Sequence, residues 1–69
     1  MTARAANELT GLRVFVVEDE GLVAMMVEGM LEDLGCAVVL NAASVSEALA
    51  LIGRGGFDIA LLDVKLAGE

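Results

Sequence analysis

The sequence predicts an α/β protein built on a parallel β-sheet, with elements in the order β-α-β-α-β. Three short apolar runs supply the strands, and two stretches of helical apolar spacing lie between them. Such alternation favours parallel strands joined by right-handed helical crossovers. Acidic residues also close the first and third runs, at the carboxyl ends where open α/β sheets form their sites.

Met1 to Thr10 is polar and alanine-rich without a clear period, so residues 1–11 are expected to form a flexible leader to a domain spanning 12–69. Leu12 to Val17 is β-branched and apolar and reads as the first strand, ending abruptly in Glu18-Asp19-Glu20. From Glu20 to Leu34, Val23, Met26, Val27, Met30, Leu31 and Leu34 follow helical spacing, with Glu28, Glu32 and Asp33 largely opposite. Acids at the start suit the helix dipole, and Gly35 is placed as a left-handed stop. Cys36 to Leu40 is a second strand. Ser44-Val45-Ser46-Glu47 matches a capping box for a second helix carrying Ala48, Leu49, Leu51 and Ile52. That helix stops in Gly53-Arg54-Gly55-Gly56, and Ile59 to Leu62 forms the third strand, ending at Asp63.

Composition narrows the classes. The chain has 69 residues, a formal charge of −7 and 58% apolar residues. That is too apolar for a disordered chain, and strands buried on both faces are one destination for so much hydrophobicity. A single cysteine and no histidine exclude a disulfide framework and a Cys/His zinc site. Four cations among 69 residues give no nucleic-acid footprint, and no charge-free stretch is long enough to span a membrane as a helix. A lone cysteine and the missing secretory pattern suit a reducing cytoplasm.

The acids help to choose the topology. If the second crossover reverses direction, the strand order is 2-1-3 and Glu18, Asp19 and Asp63 meet at one edge of the sheet. Carboxylates gathered in a partly dry cleft repel one another, and a hard divalent cation such as Mg²⁺ relieves that repulsion. Spacing alone leaves a second reading equally open, in which these acids cap the helix and stay solvated. Cys36 is expected to be a small core residue, and Met25, Met26 and Met30 to pack in the core. Gly53, Gly55 and Gly56 follow a helix rather than a strand, so a stop signal outweighs a phosphate loop.

Val14-Phe15-Val16-Val17-Glu18-Asp19-Glu20, Leu34-Gly35-Cys36, Ala48-Leu49 and the run from Phe57 to Leu66 together resemble a response-regulator receiver domain, over residues 12 to 69. The tail from Leu61 to Glu69 is also similar to stand-alone receivers of bacteria. The resemblance implies a flavodoxin-like sheet, here truncated to three strands in order 2-1-3 and two helices. It implies that Asp63 is the phosphoacceptor, taking a phosphoryl group from a histidine kinase or phosphotransfer protein. It makes Asp19 a direct Mg²⁺ ligand, Glu18 a neighbour acting through water, and Lys65 a donor of its backbone carbonyl only. Such a domain is a signalling phosphoacceptor rather than an enzyme.

The family pattern is matched only in part. A receiver has five β/α units, and the Ser/Thr and Lys that close its fourth and fifth strands have no counterpart here. Ala67 also stands where many members have proline. Residues 12–69 are therefore expected to be the N-terminal half of a receiver, with weak or absent phosphorylation when isolated. The third strand then becomes an exposed apolar edge, and two copies pairing through it would form a homodimer. The alternative from another class is a truncated interaction or dimerisation module without phosphotransfer. A Toprim-type metal-dependent nucleic-acid enzyme also places Glu after its first strand, but Asp63-Val64-Lys65 lacks the second acid of its Asp-x-Asp.

Overall fold

The computed structural model describes residues 9–63. Its elements are β1 (Arg13–Glu18), α1 (Gly21–Asp33), β2 (Ala37–Ala42), α2 (Val45–Ile52) and β3 (Ile59–Asp63). The three strands form one parallel sheet in the order β2-β1-β3. The leader up to Glu8, and Lys65 with the rest of the tail, lie outside the described residues.

The reversal at β1 dictates where the helices go. A right-handed crossover toward β2 and another back across to β3 put α1 and α2 on opposite faces of the sheet. β1, paired on both sides, therefore buries both of its faces, and Val14, Phe15, Val16 and Val17 are each at most 2% exposed. Alternate side chains feed separate cores. Val14 and Val16 join Cys36, Val27, Leu31 and Val38 beneath α1, while Phe15 and Val17 join Ala42, Ala48, Leu40, Leu51 and Phe57 beneath α2. The Phe15 and Phe57 rings meet at 5.2 Å in a tilted contact.

A β-bulge explains how β2 serves both cores. Its register with β1 steps from Val14↔Val38 to Phe15↔Leu40, so Val39 is the inserted residue. Val38 and Leu40 would share a face in a regular strand; the insertion turns Leu40 and Ala42 to the α2 side. Asn41 consequently falls on the α1 side, where its amide donates to Glu28 Oε2 at 3.2 Å.

The end of α1 and the start of α2 follow their predicted chemistry, whereas the first turn of α1 carries no acid. α1 closes in a Schellman motif: Gly35 N–H donates to Glu32 O and Cys36 N–H to Leu31 O, both at 2.9 Å. Gly35 takes φ +94°, and Cys36 packs in the same cluster as Leu31. At α2, Ser44 Oγ accepts from Glu47 N–H at 3.0 Å, and Glu47 Oε1 accepts from Ala43 N–H at 2.7 Å. The reach-back of the capping box thus lands one residue before the cap.

One expectation requires correction. Met25, Met26 and Met30 do not pack in the core; all three are exposed. α1 rests on β1 and β2 through Val27 and Leu31, and one helix on that face covers only part of its own apolar arc. β3 is the exposed apolar edge expected from the sequence: every one of its residues is exposed, and β1 is its only partner among the described residues. Cys36 is the buried, free core thiol expected from the sequence.

Candidate functional site

The site is built where β1 and β3 end. Their parallel register runs from Val14↔Ile59 to Glu18↔Asp63, so the terminal acids of the two strands are direct neighbours. Val16 and Leu61, paired two positions earlier, lie on the same face as these acids. With Val17, Val27, Leu62 and the two acids they line a cleft of about 280 Å³.

Glu18 is unusual in being charged and only 5% exposed. Its Oε2 accepts from Glu20 N–H at 3.0 Å, which ties the carboxylate to the turn entering α1. Its Oε1 is buried without a hydrogen-bond partner. Desolvation is the main reason the Glu18 carboxyl sits above its ordinary pKa. The Glu20 hydrogen bond opposes this, while Asp19 and Asp63 push the same way, since a protonated Glu18 can donate to either and a charged one is repelled by Asp63. An unpartnered carboxylate oxygen beside further acids is the local condition that a hard cation or a proton relieves.

The sequence-derived candidates therefore divide. Glu18 and Asp63 come together, with Asp63 exposed. Asp19 is exposed on the following turn and close enough to influence Glu18. Among the described residues, no group of three or more Asp, Glu, His or Cys side chains is placed to hold a metal ion. Lys65 lies outside the described residues. The solvated-cap reading fails for Glu18, which is buried, and Glu20 occupies the N-cap position of α1 without a side-chain capping bond.

One feature escaped the reading of the sequence. At the opposite end of the same strand pair, Arg13 and Asp58 bind reciprocally. The Arg13 backbone N–H and Nε donate to Asp58 Oδ2 at 2.8 and 3.3 Å, Nη2 donates to Oδ1 at 2.8 Å, and Asp58 N–H donates to Arg13 O at 2.8 Å. The guanidinium holds the Asp58 carboxyl below its ordinary pKa, chiefly through the side-chain hydrogen bond. The signal was present as two equal spacings, five positions from Arg13 to Glu18 and five from Asp58 to Asp63.

An open parallel sheet reversing at β1, with acids at the carboxyl ends of its two neighbouring strands, defines a doubly wound α/β protein with an acidic switch-point site. Within that class the chain belongs to the response regulator receiver domain family, whose model matches residues 14–69. No curated protein and no solved structure matches the chain. The family is one of two-component signalling phosphoacceptor domains, and no helix among the described residues is long and apolar enough to cross a membrane.

Proposed function

We propose that this chain is the phosphoacceptor module of a bacterial, cytoplasmic two-component phosphorelay. Asp63 accepts a phosphoryl group from a histidine kinase or phosphotransfer protein. The observation that carries this reading is the Glu18↔Asp63 pairing, which sets an exposed carboxylate beside a buried one in the lining of a cleft.

The roles follow from the two environments. Asp63 is accessible, so its carboxylate oxygen can form the new bond to phosphorus while the donor's phosphorus–nitrogen bond breaks and the electron pair returns to the imidazole. Glu18 is held by the Glu20 N–H and paired with Asp63, which fixes its carboxyl group beside the reacting oxygen. Asp19 supplies a second, exposed carboxylate from the adjoining turn. The unpartnered Oε1 of Glu18 and the all-oxygen donor set fit Mg²⁺, which takes one or two carboxylates and keeps several waters. Asp19 and Asp63 would hold it directly and Glu18 through water, with the Lys65 carbonyl as a further donor. Bound there, Mg²⁺ would offset the charge of carboxylates and phosphoryl oxygens.

We also assign residues 12–69 to the first half of a receiver, a reading supported by the wholly exposed apolar strand β3. The test is intact mass after treatment with a small-molecule acyl phosphate, with and without Mg²⁺. A single phosphoryl adduct, weak on residues 1–69 by themselves and absent in Asp63→Asn, is expected. An adduct that persists in Asp63→Asn refutes the assignment.

A further inference from the structure

We propose that Arg13 and Asp58 are positioning residues that set the β1/β3 register and so place Asp63 beside Glu18; the functional consequence rests on the reading of Asp63 given above. β3 needs such a device. A strand is held in register mainly by burying one face, and a strand whose two faces are alike is prone to slip. Both faces of β3 are apolar, with Ile59 and Leu61 on one and Ala60 and Leu62 on the other, and all are exposed. A slip of two residues would keep each side chain on its face yet carry Asp63 about 7 Å along the sheet, at roughly 3.3 Å per residue. Hydrophobic pattern alone does not forbid that slip.

Arg13 and Asp58 do. Their three side-chain hydrogen bonds and the returning Asp58 N–H bond are satisfied together at one register only. Because Arg13 stands five positions before Glu18 and Asp58 five before Asp63, fixing the first pair fixes the last. The Phe15–Phe57 contact reinforces the alignment from the α2 side. Arg13 and Asp58 are themselves 52% and 37% exposed at the side chain, so the pair matters for geometry more than for stability.

The test uses the whole chain and two independent readouts. Cross-strand amide contacts between β1 and β3, measured by NMR, report the register directly; calorimetric titration with Mg²⁺ alone reports the acid pair. Asp58→Ala is expected to lose or shift the cross-strand contacts and to weaken Mg²⁺ binding on the order of tenfold, the scale of removing a ligand-orienting partner. Asp58→Asn keeps an acceptor for the Arg13 N–H and should retain the wild-type contacts. Gly35→Ala, a destabilising change remote from β3, should leave both readouts unchanged while the protein is folded. Should Asp58→Ala not fold, Arg13→Gln, which keeps the backbone N–H bond to Asp58, takes its place and should show partial loss of register. Wild-type contacts in Asp58→Ala, or in Arg13→Gln if that replaces it, overturn the proposal. If wild type binds no Mg²⁺, the metal reading fails, and the NMR contacts alone decide the role of Arg13 and Asp58.

Discussion

Two glycine-to-alanine changes in and just after α1 should move stability in opposite directions. Gly35 adopts φ +94°, where an L-residue pays about 1–2 kcal/mol for its Cβ. A Cβ built there also lies 3.2 Å from Thr10 Cα and 3.2 Å from Thr10 Oγ1. The neighbouring loop cannot simply retreat, because Gly11 N–H donates to Gly35 O at 2.7 Å. Gly29 sits inside α1 with ordinary helical φ, and nothing lies within 4 Å of the place an alanine methyl would take. Alanine there should stabilise by about 0.5–1 kcal/mol, the helix-interior penalty of glycine. For a domain this small, each kcal/mol corresponds to roughly 4–8 °C in Tm. Gly35→Ala is therefore expected to lower Tm by about 4–16 °C and Gly29→Ala to raise it by about 2–8 °C. The chain has no Trp or Tyr, so far-ultraviolet circular dichroism in thermal and urea unfolding is the assay. An unchanged midpoint in Gly35→Ala would refute the claim that a left-handed cap terminates α1.

Other outcomes follow from the same structure. Glu18 has a raised carboxyl pKa in the folded state, so its contribution is present below the unfolded value of 4.5 and is lost as pH rises through the folded value. Glu18→Gln should accordingly melt higher than wild type at neutral pH in metal-free buffer, and the gap should close in acid. Asp58 has the opposite sign: its lowered pKa stabilises the fold above the unfolded value of 3.8, and this is lost as pH falls through the folded value. Acid titration of Asp58→Asn should therefore show a shallower loss of stability below pH 3.8 than wild type. Phe15, 1% exposed between β1 and α2, should cost about 3–5 kcal/mol as Phe15→Ala, read as a fall in the urea midpoint.

The elements and their order were legible in the residues themselves. Short apolar runs and helical spacing placed all five elements within a residue or two of their observed limits, and local chemistry placed Gly35 and the Ser44–Glu47 box. Reasoning from the acids to a reversed crossover also gave the 2-1-3 order. These are signals that a short window of sequence carries, because spacing and capping depend on near neighbours.

What required tertiary structure was everything set by a distant partner. The bulge at Val39, which lets β2 serve both cores, depends on pairing with β1. The exposure of Met25, Met26 and Met30 depends on how much sheet lies beneath α1, which apolarity in sequence does not measure. Above all, Glu18 and Asp19 look alike as adjacent acids, yet one is buried with an unpartnered oxygen and the other is exposed. Which acids end the strands could be read from the chain alone. Their unequal access to water came from the fold: β1, flanked by two strands and two helices, removes water from Glu18, while β3, flanked by one strand among the described residues, leaves Asp63 open to it.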